Sequence, residues 1–183
     1  MKKLLLHSCC GPCSSGVLEA LTREYDVTIL FYNPNIFPEE EYYKRLDTQY
    51  KIVNALNSEG ADIKIVEVGY NPAEYNNIVQ GLENEPEGGS RCEKCFRLRL
   101  EKTCKYAKDN GYNIFTTTMS VSPHKNYILL NEIGRDLSSK FGVEYLEANF
   151  KKNDGYLKSI RNSEKYDLYR QKYCGCKYSI WDK

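Results

Sequence analysis

Short apolar runs alternate along the chain with longer segments in which apolar residues recur at helical spacing. Five of the runs predict buried strands, because they are rich in β-branched residues and are bounded by turn residues. They cover residues 3–8, 26–32, 63–68, 113–119 and 143–148. Strands that alternate with helices are typical of an α/β fold with a mostly parallel sheet flanked by helices.

The segments between the strands predict helices. They are expected at residues 14–23, from Pro38 onward, from Asn71-Pro72, at residues 93–109 and at residues 126–141. The three glutamates after Pro38 suit the positive end of a helix dipole. At 183 residues the chain fits a single α/β domain (1–183), with a helical C-terminal elaboration over about residues 150–183.

The N-terminus and the overall charge bear on the cellular compartment and the partners. No apolar run approaches the roughly 20 residues that cross a bilayer, and the apolar run after Lys3 is too short for a signal peptide. The sequence therefore predicts a cytoplasmic protein with no membrane partner. Lys and Arg total 26 against 25 Asp and Glu, so a nucleic-acid partner would require a local basic patch.

Eight cysteines need an explanation in such a chain. Structural disulfides are uncommon where thiols are kept reduced, so metal binding or redox catalysis is the better interpretation. Only Cys104 stands apart. The others form three groups, which are Cys9, Cys10 and Cys13, then Cys92 and Cys95, then Cys174 and Cys176. Two of the groups follow predicted strands, at the edge where open α/β sheets place their sites.

The CxxC of Cys92 and Cys95 has the spacing of metal ligands at a predicted helix N-terminus, where backbone N–H groups favour thiolate charge. Its second pair is either Cys9 with Cys10 or Cys10 with Cys13. Four such thiolates would hold a [4Fe–4S] cluster or a structural zinc ion. Spacing leaves both open, although neighbouring ligands are awkward in an ordinary tetrahedral zinc knuckle.

The CxC of Cys174 and Cys176 predicts different chemistry. A disulfide between them would close a small, strained ring that is easily reduced, and Gly175 supplies the backbone freedom for closure. We interpret the pair as a redox-active dithiol, with further metal ligands or buried thiols as the alternatives. Cys104 lies about half a turn from Cys95 by helical angle and is expected in the core.

The remaining polar residues give weaker signals. Basic residues are concentrated around the CxxC, and most of them are expected on a solvated helix face, where they could also offset cluster charge or meet RNA phosphates. They are Arg91, Lys94, Arg97, Arg99 and Lys102. His124 and Lys125 could serve as an acid and as a phosphate ligand, but neither residue needs a function at its position.

Several segments occur together in one order. They are Leu6-His7-Ser8-Cys9-Cys10-Gly11-Pro12-Cys13-Ser14, Phe31-Tyr32-Asn33-Pro34-Asn35-Ile36, Glu41-Tyr42, Arg91-Cys92-Glu93-Lys94-Cys95-Phe96-Arg97-Leu98-Arg99, Thr117-Thr118 with Ser122-Pro123, and Tyr169-Arg170-Gln171-Lys172-Tyr173-Cys174-Gly175-Cys176-Lys177-Tyr178-Ser179. In this combination they resemble the QueH family, the cobalamin-independent epoxyqueuosine reductases. The resemblance spans nearly the whole chain.

The resemblance implies a reaction, cofactors and partners. Epoxyqueuosine at the wobble position of a tRNA anticodon would be reduced to queuosine, with an unidentified electron donor. By the same resemblance, Cys174 and Cys176 would be the redox-active pair and the tRNA the partner. It also allows an additional iron ion whose ligands the sequence does not assign, and it leaves Cys13 without a role. The implied ligands of a [4Fe–4S] cluster are Cys9, Cys10, Cys92 and Cys95.

The implied fold is a nucleotide-hydrolase-like domain related to the PP-loop ATPases. The first loop lacks their Ser-Gly-Gly-x-Asp-Ser pattern, so ATP is not expected. Two alternatives remain, a zinc-stabilised nucleic-acid-binding module without catalysis and an ATP-using tRNA-modifying transferase. The CxC and the adjacent Cys9 and Cys10 argue against the first, and the altered loop argues against the second.

Overall fold

A parallel β-sheet forms the centre of the structure, a computed structural model that describes residues 1–147, 149–151 and 154–180. Within those ranges the sheet has five strands, and all of their pairings are parallel. The strands are β1 (Lys2–Ser8), β2 (Tyr25–Phe31), β3 (Lys64–Glu67), β4 (Ile114–Thr117) and β5 (Glu144–Tyr145). This confirms the predicted α/β class.

The strand order β3-β2-β1-β4-β5 defines where a site can form. The chain builds outward from β1 through β2 to β3, then returns to the other side of β1 with β4. Leu6 of β1 pairs with Ile29 of β2 on one side and with Thr116 of β4 on the other. At such a reversal the loops leaving the two neighbouring strands diverge and open a crevice at their carboxyl ends.

Helices cover both faces of the sheet. They are α1 (Gly11–Ser15), α2 (Leu18–Leu21), α3 (Glu39–Ser58), α4 (Pro72–Ile78), α5 (Ser90–Asp109), α6 (Tyr127–Phe141) and α7 (Gly155–Lys165). Two 3-10 helices span Thr118–Val121 and Lys177–Ser179. Of these described helices, none is both long and apolar enough for a bilayer crossing.

The two faces of the sheet bury separate apolar clusters. Leu5 of β1 packs with Leu100 of α5 and Leu137 of α6, whereas Leu4 and Leu6 pack on the opposite face with α1, α2 and α3. Successive strand residues point to opposite faces, so an unbroken apolar run is what a strand buried on both sides requires. The central strands can therefore be read directly from the sequence.

The helix predicted over residues 14–23 is wrong in its extent. Pro12 lets α1 begin at Gly11, because proline is well suited to the first helical turn. Helix α1 ends at Ser15, and α7 lies against the backbone of the next residue, Gly16. A Cβ on Gly16 would be 2.2 Å from the carbonyl oxygen of Gly155, so only glycine permits this contact between α1 and α7.

After β4, the last strand and the C-terminal segment also differ from the prediction. The last strand is limited to Glu144–Tyr145, and Ala148, which was predicted to end it, lies outside the described residues. Helix α7 occupies part of the predicted helical C-terminal segment. The CxC is not helical, since Gly175 has φ of 134° and the segment from residue 167 to residue 176 is irregular.

Candidate metal and redox site

The first cysteine group lies where β1 ends and α1 begins. Cys9 and Cys10 are buried, Cys13 is half-buried, and their thiols interact with one another. A hydrogen bond from Cys10 holds the pKa of Cys9 well below its usual value, and the corresponding bond raises the pKa of Cys13. The loop therefore favours a thiolate at Cys9.

A buried polar network holds this loop in place. Ser8 and Ser14 both donate to Oε1 of Gln49, at 2.7 and 2.9 Å. His7 Nε2 lies 3.0 Å from the carbonyl oxygen of Tyr32, which can only accept, so Nδ1 is left to accept from Thr117 at 3.0 Å. Burial lowers the pKa of His7 to about 4 and keeps the ring neutral.

The second cysteine group lies in the first turns of α5. The backbone N–H of Gly88 donates to the sulfur of Cys92 at 3.2 Å. Cys95, one turn further, is 6% exposed, and burial raises the pKa of its thiol to about 12. Cys95 packs with Cys176 and Tyr75, so the CxC reaches the CxxC in space.

Two arginines of α5 correct the prediction of a solvated basic face. Arg91 and Arg99 are each 1% exposed, while Lys94 is exposed as expected. Arg91 donates to the carbonyl oxygens of Leu82 and Glu83 at 3.2 and 3.3 Å. Nε and Nη2 of Arg99 have no hydrogen-bond partner among the described residues.

Arg99 lies among the cysteines. Burial alone would lower the pKa of this guanidinium, but the sulfurs of Cys95, Cys9 and Cys174 raise it by a larger amount. Its charge thus acts on all three cysteine groups at once. Sequence reasoning placed Arg99 near the CxxC but missed its burial, which depends on how α5 docks against β1 and β4.

A cleft of about 340 Å³ opens beside the cysteines. Cys9, Cys13 and Cys174 line it, together with Lys125 and Gln171. The carboxyl end of β1 and the segment after β4 both contribute, as expected for the crevice at the strand reversal. His124 is exposed at its rim and donates its backbone N–H to Ser122.

The structure brings the three predicted cysteine groups to one edge of the sheet and leaves Cys104 in the core between α5 and α6. All eight cysteines lie in the described residues, and none of them is joined to another in a disulfide. In the described part of the chain, no three His, Cys, Asp or Glu side chains converge closely enough to surround one metal ion.

The family model for epoxyqueuosine reductase QueH matches residues 4–182. The chain belongs to the QueH family. Its match covers every cysteine group described above, and the resemblance found in the sequence motifs is thereby confirmed.

Relatives from three bacteria agree with this membership, and each is named epoxyqueuosine reductase QueH. The protein from Streptococcus pyogenes is 44% identical over 177 residues, covering 96% of this chain and 69% of the relative. That from Staphylococcus epidermidis is 45% identical over 180 residues, covering 97% and 76%. The QueH of Thermotoga maritima is 34% identical over 185 residues, covering 100% and 93%.

Proposed function

We propose that this chain is an epoxyqueuosine reductase, which converts epoxyqueuosine in tRNA to queuosine. The observation that carries the proposal is the meeting of three cysteine groups around the buried Arg99, beside a cleft of about 340 Å³. Membership of the QueH family supports the same substrate. The reaction takes up two electrons and two protons, leaves an alkene and releases water.

The cofactor in this proposal is a [4Fe–4S] cluster held by Cys9, Cys10, Cys92 and Cys95. The test of fit is Arg99, because a buried cation without a partner is strongly unfavourable until an anion neutralises it. A cubane with four thiolate ligands carries net negative charge and would do so. When bound, the cluster would supply one-electron transfer.

In this proposal the dithiol of Cys174 and Cys176 supplies the two electrons and two protons of each turnover. Oxidation of two thiols to a disulfide releases two electrons and two protons, which is the amount that removal of the epoxide oxygen consumes. A disulfide between cysteines with one residue between them closes a strained ring, which makes it easy to reduce again. The dithiol can therefore complete each turnover.

The cleft suits a nucleotide at the end of an anionic chain. Burial would lower the pKa of Lys125, but Cys174 and Cys9 raise it, so the side chain is charged at the cleft wall. Lys172 and His124 are exposed at the same opening and could meet tRNA phosphates. Tyr156 and Tyr173 line it and could stack on bases.

The experiment is anaerobic purification followed by a visible spectrum and counts of iron, sulfide and zinc per chain. We expect a brown protein with about four irons and four sulfides, which converts epoxyqueuosine-containing tRNA with a chemical reductant and without ATP. A colourless zinc protein that iron and sulfide cannot reconstitute would indicate the nucleic-acid-binding module. Turnover that requires ATP would indicate the transferase.

The dithiol role has its own test. Cys174→Ser and Cys176→Ser should each abolish turnover and keep the cluster iron. Cys104→Ala is the matched control, since it removes a buried thiol away from the site. Loss of iron in either serine variant would instead make that cysteine a ligand.

A further inference from the structure

The two sulfurs of the CxC lie in different surroundings. Cys174 is half-buried and lines the cleft. Cys176 is 6% exposed, lies off the cleft, and packs against Tyr75, Val79 and Cys95. One sulfur of the pair is therefore open to molecules in the cleft, and the other faces the CxxC.

The backbone around the pair is fixed by hydrogen bonds at four consecutive carbonyl groups. Arg45 donates from Nη2 to Tyr173 at 3.1 Å and from Nη1 to Cys174 at 3.0 Å. The N–H of Phe37 donates to Gly175 at 2.8 Å, and the N–H of Ser179 donates to Cys176 at 3.1 Å. The two sulfurs cannot exchange surroundings unless several of these bonds break.

Arg45 is itself held rigidly. It is 1% exposed, and its Nε donates to Glu41 at 2.7 Å. The other oxygen of Glu41 accepts from the hydroxyl of Tyr169 at 2.9 Å. Gly175 fits beside this guanidinium because its φ of 134° suits glycine and because a Cβ there would be 3.1 Å from Nη1. A buried guanidinium that holds two neighbouring carbonyl groups is a built clamp.

We propose that the two cysteines of the dithiol have different roles. Cys174 is the sulfur that exchanges with an external dithiol reductant in the cleft, and Cys176 is the internal sulfur beside Cys95. Arg45 is the positioning residue that keeps the two roles apart. This inference rests on the proposed function and names the chemical class of the electron donor.

The exchange transfers two electrons and two protons from the donor to the cysteine pair. A thiolate of the donor attacks the sulfur of Cys174, the bond to Cys176 breaks, and Cys176 leaves with the electron pair and takes a proton. The second thiolate of the donor attacks the donor sulfur of the mixed disulfide and releases Cys174, which takes the second proton. The donor becomes a disulfide, and the pair gains two electrons and two protons. Attack at Cys176 is blocked by burial, and access governs which sulfur reacts.

The test compares thiol exchange in the full-length variants Cys176→Ser and Cys174→Ser, purified anaerobically with whatever metal they bind. Each is treated under native conditions with an aromatic disulfide, and the modified cysteines are located by peptide mass spectrometry. Residue 174 in the first variant should react at least about ten-fold faster than residue 176 in the second. Equal rates, or faster reaction of Cys176, would overturn the assignment.

The clamp is tested by adding Arg45→Met to each serine variant. Loss of both carbonyl contacts should free the segment and bring the two exchange rates together, and a role in folding alone would lower the melting temperature without equalising them. Arg23→Met is the control, since Arg23 forms the same i,i+4 pair with Glu19 on the exposed surface. If Arg45→Met does not fold, Tyr169→Phe, which removes only the bond to Glu41, should narrow the difference in rates.

These measurements need neither tRNA nor turnover. Reductase activity with equal exchange rates would overturn the division of roles between Cys174 and Cys176 and leave the proposed function standing. Selective exchange at Cys174 in a protein that binds no cluster and reduces no epoxyqueuosine would reject the proposed function. It would still support different roles for the two cysteines.

Discussion

The two halves of helix α5 bury their side chains in different surroundings. In the N-terminal half, Arg91, Cys95 and Arg99 are buried beside other thiols and charged groups. In the C-terminal half, Leu100 and Cys104 are buried in the apolar cluster between the sheet and α6. One continuous helix thus forms a wall of the candidate site at one end and part of the core at the other.

Cys95 and Cys104 show what this difference teaches. Burial raises the pKa of both thiols, to about 12 and about 11. At Cys95 the charge of Arg99 acts against that rise, whereas at Cys104 the charge of Glu101 adds to it and that of Lys108 opposes it. Cys104 has a weak contact from its sulfur to the carbonyl oxygen of Leu137 at 3.7 Å. The two thiols are thus buried in different surroundings, one beside a buried cation and the other in an apolar cluster.

The largest expected effect separates these two cysteines. Cys95→Ala should abolish cluster binding and turnover, because the proposed cluster would lose one of its four thiolate ligands. Cys104→Ala should retain iron, sulfide and turnover, and should lose some stability by leaving a small cavity. Iron and sulfide counts after anaerobic purification, together with urea unfolding, measure both effects. Iron loss in Cys104→Ala alone would reverse the assignment.

The contrast within α5 was only partly predictable. Spacing placed Cys92 and Cys95 at a helix start, and the helical angle placed Cys104 in the core, since both depend on local geometry. The burial of Arg99 could not be predicted from the sequence, because arginine is common on solvated helix faces. Its burial follows from the packing of α5 over the sheet, which is a long-range effect.

The clamp on the CxC shows the same limit. Glu41 and Arg45 are an i,i+4 pair that sequence alone would assign to an exposed helix surface. Their burial depends on a segment more than a hundred residues later folding over α3, as the 3.0 Å contact with Cys174 records. The parallel sheet was predictable, since its apolar runs are continuous and local.

The next largest effect concerns the core half of α5. Leu100→Ala should lower the free energy of unfolding by about 2–5 kcal/mol, because it leaves a cavity in a fully buried cluster. The folded fraction should still bind iron and sulfide normally. Urea unfolding and metal analysis of the same sample measure the two quantities, and a loss of iron per folded chain would mean that the halves of α5 are coupled.

Arg99→Met should act with opposite signs on the two forms of the protein. In the metal-free form it removes two buried nitrogen donors that have no described hydrogen-bond partner, and it should raise the free energy of unfolding by about 1–3 kcal/mol. In the cluster-loaded form it removes charge compensation, so iron should be lost faster to a chelator. Arg99→Lys keeps the charge and should retain iron longer than Arg99→Met. A destabilised metal-free Arg99→Met would show that Arg99 is structural.

The smallest effect is expected at Arg97, between the two arginines that the fold buries. Its Nη1 pairs with Asp136 of α6 at 2.7 Å, and both side chains are about half exposed, at 44% and 59%. Exposed ion pairs contribute roughly 0–1 kcal/mol, because water screens the charges and the side chains lose freedom. Arg97→Ala should therefore lower the urea midpoint only slightly, and by an even smaller amount at high salt. The iron content per chain should not change. Since Arg97 and Arg99 lie on the same turn, an iron loss in Arg97→Ala as large as in Arg99→Met would show that total helix charge, and not the buried guanidinium, holds the cluster.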